Sequence, residues 1–323
     1  MSEQPFRWCF IGTGTLAKQV AREITASGRH EITAVYSRRF EKAREFAAQY
    51  GGAAYDTAEA AVGAADVDGV YVVTPHNWHA PYVRLAVEAG KPVLCEKPFT
   101  TDTAQTRALF DLGREKGVYV AEAMWTWFSS VARQVKAWVD GGALGDIESA
   151  RVTYRCDSRG YAPRLLDPNL AGGALLDIGV YPLTYLYRLF GKPERVKCEG
   201  LLRDGIDMEE EIDLFYPGGL TARASVSMWA AEYDEAARIT GSRGAITVER
   251  FHYAGEARLT DPEGHTALFT GETTMLNEFD RVAGEIRAGL PCSALVPPQA
   301  TLDVMEIMDE CRRQMGLVYP FER

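Results

Sequence analysis

The chain has 323 residues, of which 46% are hydrophobic and 25% charged, with a formal net charge of -10. That size accommodates about two domains, and the acidic balance argues against nucleic acid as a partner, since phosphate binding needs a clustered basic surface. No apolar run approaches the roughly 18 residues of a membrane helix, and the opening Met-Ser-Glu-Gln-Pro-Phe-Arg lacks the apolar core of a signal peptide, so the expected setting is cytoplasmic, with no membrane partner. The six cysteines, Cys9, Cys95, Cys156, Cys198, Cys292 and Cys311, are scattered with no C-x-x-C pair and read as reduced packing residues.

The first strand is expected at Phe6 to Gly12 and runs into Gly12-Thr13-Gly14-Thr15-Leu16-Ala17, followed by a helical pattern through Ile24. This is G-x-G-x-x-A in its strand, turn and helix setting. The first glycine permits a tight turn, the second lets the backbone approach a pyrophosphate, Ala17 allows close helix packing, and the helix amino terminus supplies N-H groups for phosphate. A second strand, Ile32 to Tyr36, ends in Ser37-Arg38-Arg39, where an NAD-selective site would carry an acid for the ribose 2'-hydroxyl. A serine and two arginines suit a 2'-phosphate, so NADP(H) is the preferred cofactor and NAD(H) the lesser option. Helices at Glu41 to Tyr50 and Ala58 to Ala64 and a strand at Gly69 to Val73 follow.

That third strand ends in Thr74-Pro75-His76-Asn77-Trp78-His79. The H-x-x-H spacing lies on a turn without a carboxylate or cysteine cluster, which speaks against a metal; Thr74, Pro75, Asn77 and His79 suit contacts to the nicotinamide ribose or plain loop packing. A helix from Pro81 to Ala89 leads to Lys91 to Pro98. There the buried-type strand Val93 to Cys95 stops at Glu96-Lys97-Pro98, so Lys97 is expected at the carboxyl edge of the sheet, where ligands bind. A helix from Thr101 to Lys116 has Asp102 as a possible cap, and a strand from Val118 to Ala121 ends in Glu122-Ala123-Met124-Trp125-Thr126-Trp127-Phe128. Its aromatic residues could wall a cofactor ring and substrate or plug a domain junction.

Strand and helix thus alternate through the first half, which specifies a parallel, doubly wound Rossmann sheet. Beyond the helix Ser130 to Gly141 the pattern changes. A strand at Ile147 to Cys156 precedes a polar loop with Arg159, Tyr161 and Arg164, then a helix from Leu175 to Phe190. Five strands follow in series: Arg195 to Arg203, Met208 to Tyr216, Gly219 to Met228, Ala236 to Thr240 and Ala245 to Glu249. Helices near Met275 to Ala288 and Pro298 to Met315 are expected to return to the first domain. The expected division is a dinucleotide-binding domain, 1-124, and an α+β domain, 125-323, with a large, open, mainly antiparallel sheet for substrate binding and oligomerisation. Asp177 and Tyr181, four apart, share one face of its helix; a core tyrosine is the bland alternative.

The glycine loop, Glu96-Lys97-Pro98 and Gly173-Ala174-Leu175-Leu176-Asp177-Ile178-Gly179 together resemble the Gfo/Idh/MocA superfamily of nicotinamide-dependent oxidoreductases over essentially the whole chain. Leu94 to Pro98, Glu122 to Thr126 and Gly172 to Tyr181 resemble its dimeric dihydrodiol dehydrogenase and NADP-dependent aldose (D-xylose) dehydrogenase branch. Where many relatives carry Asp-x-x-x-His, this chain has Asp177 and Tyr181. The resemblance implies that Lys97 lies beside the nicotinamide and the reacting carbon-oxygen bond, that Glu96, Glu122 and Trp125 border the cofactor, and that a homodimer forms through the second sheet.

The implied chemistry is hydride transfer between nicotinamide C4 and the secondary alcohol or carbonyl of a sugar or cyclic trans-diol. A tyrosine hydroxyl titrates near pH 10, and a neighbouring ammonium favours its phenolate. Tyr181 is therefore assigned the proton transfer and Lys97 the role of its cationic partner, with Asp177 orienting substrate hydroxyls or holding Lys97. The reverse, Lys97 donating directly, stays open. Trp125, Phe128, Arg159, Tyr161 and Arg164 are the further substrate candidates. A ketosugar or inositol reductase of the same family, or a non-catalytic NADP-sensing regulator on the same fold, are the competing readings.

Overall fold

A computed structural model describes residues 4-158, 160 and 162-322. They form two compact units, one running through Trp125 and completed by Met275-Thr301, the other comprising Thr126-Thr274 and the chain from Leu302.

In the first unit the order is β1 (Phe6–Ile11), α1 (Thr15–Ala26), β2 (His30–Tyr36), α2 (Phe40–Tyr50), β3 (Ala53–Tyr55), α3 (Ala58–Val62), β4 (Gly69–Val72), α4 (His79–Glu88), β5 (Val93–Glu96), α5 (Thr103–Lys116) and β6 (Val120–Ala123). The strands form one parallel sheet in the order β3-β2-β1-β4-β5-β6. The chain therefore leaves β1 in one direction and β4 in the other, and a crevice opens at this switch point beyond the strand ends. Strands β4 and β5 are buried throughout, as a sheet covered on both faces requires.

Two local details differ from the sequence expectation. The sixth strand starts at Val120, because Gly117 ends α5 in the left-handed conformation (φ 64) and the Val118 amide bonds back to the Gly113 carbonyl at 2.9 Å, so Val118 and Tyr119 belong to the closing turn. Helix α4 begins at His79, with Pro81 in its first turn, where the missing N-H is harmless. Asp102 caps α5 by accepting from the Gln105 amide at 2.8 Å.

The second unit contains α6 (Ser130–Asp140), β7 (Ile147–Asp157), a π-helical turn (Leu175–Gly179) leading into α7 (Val180–Phe190), β8 (Arg195–Arg203), β9 (Ile206–Phe215), β10 (Thr221–Ser227), β11 (Trp229–Gly241), β12 (Gly244–Glu249), β13 (Glu256–Thr260) and β14 (Thr266–Thr270). Its eight-stranded sheet has the order β14-β13-β12-β11-β7-β10-β9-β8 and is antiparallel except where β10 pairs with β7. Strand β11 starts at Trp229, not Ala236, because an irregularity between Trp229 and Asp234 lets it keep its pairing with β7 across a break in register. The last two strands, five residues each, lie in a stretch given no strand from the sequence, although Glu256-Ala257-Arg258-Leu259-Thr260 alternates polar and apolar.

Helix α8 (Leu276–Arg287) lies in the first unit, where Phe279 packs its ring 5.0 Å from both Trp8 and Tyr71. Helix α9 (Pro298–Met315) starts in the first unit and from Leu302 belongs to the second, where Asp303 accepts from the Tyr187 hydroxyl at 2.8 Å.

The start of the π-helical turn has a physical explanation. Asp207, fully buried on β9, accepts from the Leu175 amide at 2.5 Å and so supplies the acceptor that an exposed amino terminus would find in water. Such an approach leaves no room for a side chain: a Cβ on Gly173 (φ +120) would lie 2.0 Å from Asp207 Oδ1, and one on Gly172 2.5 Å from the Leu165 carbonyl. Gly173→Ala is therefore expected to cost about 2-4 kcal/mol, from overlap and a left-handed φ together, and chemical denaturation should show it as a lower midpoint with unchanged slope.

Candidate active site

In the first unit the glycine loop, the turn after β4 and the end of β5 come together at the carboxyl edge of the parallel sheet. Gly12 sits where β1 turns, at φ +121, with its amide on the Tyr36 carbonyl at 2.9 Å. A Cβ there would strike the Val73 carbonyl at 2.4 Å, so only glycine lets the end of β1 pass so close to the end of β4. At Gly14 the same construction meets nothing within 4 Å. Gly14 is also the N-cap of α1, with no side chain bonded to the first amides and no acid in the first turn. The helix thus begins with an open surface and unanswered N-H groups, which fits a pyrophosphate. Ala17, wholly buried, seats α1 against the sheet. Thr13, Thr15 and Leu16 complete the loop. At the end of β2, Ser37 is half-buried and Arg38 and Arg39 are exposed, the Arg38 guanidinium lying 5.2 Å from the centre of the Trp78 ring.

The turn after β4 carries Thr74, Pro75 and Asn77. His79 is fully buried behind it, with Nε2 2.9 Å from the Thr74 carbonyl and Nδ1 2.9 Å from the Pro98 carbonyl. A neutral imidazole could donate to only one of these. His79 thereby joins the turn after β4 to the turn after β5, where Lys97-Pro98 is a cis peptide bond. Lys97 is buried at 8% exposure, at the carboxyl end of β5.

Glu96, next to Lys97 in the chain, is one of three neighbouring buried carboxyls with Glu122 and Glu278. Glu96 accepts from the Tyr71 hydroxyl at 2.6 Å and from the Lys97 amide at 3.2 Å. Glu122 accepts from the Phe99 amide at 3.1 Å and the Thr301 hydroxyl at 2.8 Å. Burial pushes the Glu122 carboxyl up to about 7, the Thr301 and Phe99 donors pull against it, and the nearby charges of Glu96 and Lys97 act in opposite senses. Burial, joined by the charges of Glu96, Glu23 and Glu122, holds Glu278 well above the usual carboxylate range. Trp125, also buried, follows β6.

In the second unit, Asp177 lies in the π-helical turn and Tyr181 in the first turn of α7, both buried at less than a tenth exposure. Asp177 Oδ1 accepts from the exposed Arg164 at 3.1 Å, so the polar loop after β7 is tied to this helix. Phe128 and Trp127 are buried in this unit, Trp127 stacked 6.4 Å from Tyr187 and covered by Arg188 at 5.3 Å, a packing role. Arg159 and Tyr161 lie outside the described residues. Among the described residues only Asp261, Glu263 and His265 come close enough together to suggest a metal, and they lie on the partly exposed turn between β13 and β14.

The sequence reading missed the neighbours of Tyr181. Its ring lies 5.3 Å from that of His252 and 6.1 Å from that of Tyr154. Glu235, which pairs with Tyr154 across β11 and β7, accepts from the His252 amide at 2.9 Å and contacts His252 Nδ1 at 2.6 Å. A buried glutamate in the inward set of a strand signals a needed partner, but only the fold reveals which residue supplies it.

Residues 6-124, within the first unit, match the family described as an oxidoreductase family with an NAD-binding Rossmann fold, and residues 132-247 match the Gfo/Idh/MocA C-terminal domain. Mouse trans-1,2-dihydrobenzene-1,2-diol dehydrogenase is 30% identical over 331 residues, covering 98% of this chain and 99% of the relative. The chain belongs to the Gfo/Idh/MocA family of oxidoreductases. Another family relative is the D-xylose 1-dehydrogenase (NADP+) of Hypocrea jecorina, 30% identical over 97% of this chain and 93% of the relative. Among solved structures, a 3-ketoreductase from Actinomadura kijaniata in complex with NADP and TDP-benzene superposes with a TM-score of 0.86 at 27% identity, covering 96% of this chain and 98% of that one.

The raised Glu122 carboxyl has a signature in stability. An unfolded glutamate ionises near 4.5 and the folded one near 7, so the folded state binds the proton more tightly. The associated stability is fully present below about pH 4.5 and lost as pH rises through 7, on the order of 3 kcal/mol. Glu122→Gln cannot ionise; the melting temperature of the variant minus that of the wild type should rise between pH 5 and pH 8, and a flat difference would contradict the assignment.

Proposed function

We propose that this Gfo/Idh/MocA oxidoreductase is an NADP-dependent dehydrogenase that oxidises a secondary alcohol of an aldose or a cyclic trans-diol, or reduces the matching carbonyl. The observation that carries the reading is the carboxyl edge of the first sheet, which holds both an open glycine loop and a buried lysine. The activities of the relatives, a dihydrodiol dehydrogenase and an NADP-dependent xylose dehydrogenase, support the substrate class.

Gly12, Gly14 and the α1 amino terminus would hold the pyrophosphate, and Ser37, Arg38 and Arg39 the 2'-phosphate, through charge-assisted bonds. The bound dinucleotide supplies the hydride acceptor. This chain's own residues have to move one proton and fix the alcohol. Tyr181 takes that proton, Lys97 favours the phenolate electrostatically, and Asp177 with Arg164 orients neighbouring hydroxyls. His79 and Glu96 hold the turns on which Lys97 depends.

We further infer a homodimer built on the eight-stranded sheet, whose edge strand β8 exposes Leu201, and a reducing compartment such as the cytoplasm, supported by six unpaired cysteines. No helix among the described residues is long and apolar enough to cross a membrane.

Two measurements test the reading. Titration of tryptophan fluorescence should give tighter binding of NADPH than of NADH, and Arg38→Ala should weaken NADPH about tenfold or more while leaving NADH unchanged; equal affinities in the wild type would remove the 2'-phosphate assignment. With D-xylose and trans-1,2-dihydrobenzene-1,2-diol as trial substrates, Lys97→Met and Tyr181→Phe should each lower kcat by about 10²-10⁴ with the fold intact by circular dichroism. Near-normal turnover in both would place the chemistry elsewhere.

A further inference from the structure

Behind Tyr181 the second unit holds a chain of polar side chains with no evident structural need. It begins at the surface with Tyr233, more than half exposed, whose hydroxyl donates to Glu235. Glu235 is buried at 3% and contacts His252 Nδ1 at 2.6 Å; His252, buried at 7%, faces the Tyr154 hydroxyl with Nε2 at 3.3 Å. The rings of Tyr154 and His252 both lie beside the ring of Tyr181.

Protonation follows from the partners. Burial pushes the Glu235 carboxyl up, but the bonds from His252, its charge when protonated and the bond from Tyr233 outweigh it, and the net shift is downward; Glu235 as a carboxylate can only accept. A carboxylate has no proton to give, so in the Glu235-His252 contact Nδ1 is the donor, and in the neutral imidazole Nε2 is then the acceptor. Burial, with Tyr181 and Glu235 nearby, pushes the Tyr154 hydroxyl far up, so Tyr154 remains a phenol and donates to Nε2. The Tyr154 and His252 donors both point away from Tyr181, towards Glu235, which Tyr233 meets from the surface side, and the Tyr154 oxygen keeps a lone pair for a further donor.

An apolar pair would fill this space more cheaply, since a buried carboxylate costs several kcal/mol before its partners answer it. We propose that His252, positioned by Glu235, accepts the proton that Tyr181 takes from the substrate alcohol, with the Tyr154 hydroxyl as the bridge. The proposal rests on Tyr181 being the proton-transfer group. In oxidation the C-H bond breaks and its electron pair leaves as hydride with the dinucleotide. The alcohol proton moves to the Tyr181 oxygen, the Tyr181 proton to the Tyr154 oxygen, and the Tyr154 proton to Nε2. One imidazolium forms beside one carboxylate, no electrons travel this route, and reduction runs the same sequence backwards.

Two readouts test this. Nitrogen-15 NMR of histidine-labelled protein at neutral pH should give His252 a protonated Nδ1 and an unprotonated Nε2; the opposite tautomer would overturn the proposal, because that Nε2 cannot accept. In steady-state oxidation of D-xylose or trans-1,2-dihydrobenzene-1,2-diol with NADP+, His252→Ala should lower kcat about 10-100-fold with little change in KM, and added imidazole should restore several-fold of the loss. Tyr154→Phe, which removes one oxygen and keeps the ring, should show the same kcat loss without imidazole rescue. A folded His252→Ala with full turnover, or a loss that imidazole leaves untouched while Tyr154→Phe stays active, would show the cluster to be packing only. If Tyr181→Phe itself keeps turnover, the Tyr181 assignment falls first; if Tyr181→Phe is inactive and His252→Ala is not, only the relay falls.

Discussion

A carboxylate taken out of water has to be answered by donors, and in both units the donors that answer are attached to the stretches of chain that carry the proposed catalytic residues. In the first unit, Glu96 and Glu122 take up the Lys97 and Phe99 amides, which fixes the backbone on either side of Pro98. In the second, Asp207 takes up the Leu175 amide and sets where the helix bearing Asp177 and Tyr181 begins. Each such bond contributes a modest net amount, but an unanswered carboxylate at the same place would cost several times more, so local backbone alternatives are strongly disfavoured. The buried acids are best understood as clamps on backbone position.

The same constraint explains what the sequence makes legible. Alternating βα units, the glycine loop and the abrupt stop at Glu96-Lys97-Pro98 are local patterns, and local patterns follow from period, turn chemistry and strand burial. They locate Gly12, Gly14, Arg38 and Lys97 without any knowledge of long-range contacts. The His252, Glu235, Tyr154 and Tyr181 grouping is different in kind. Its members come from four elements separated by tens of residues, and a histidine after a strand has no local feature that distinguishes it from a solvated one. Only the cross-strand pairing of Glu235 with Tyr154 makes them neighbours.

Where boundaries shifted, a specific competitor won. Val118 and Tyr119 have strand-like side chains, yet the left-handed Gly117 and its return bond to Gly113 claim them for a turn. The Leu175 to Phe190 helix is continuous in pattern but opens with a wider π-helical turn, where Asp207 and the close-packed glycines hold the backbone. Glu96 and Glu122 also hold the protein's own Tyr71, Phe99 and Thr301, partners that no local pattern announces.

The single parallel pairing in the second sheet, β7 with β10, bears on how this unit reaches its native state. Parallel neighbours cannot be joined by a tight hairpin, so the chain between them makes a long excursion that contains the π-helical turn, α7, β8 and β9. The β8-β9 and β11-β12 ribbons connect through short turns and can zip from their ends, whereas the central ladder has to wait for a loop of some sixty residues to close. The helix bearing Tyr181 sits inside that loop. Its final seating therefore belongs to the slow, topologically demanding part of assembly, and a chain interrupted during synthesis before β10 would have the helix's sequence but not the sheet that gives it a place.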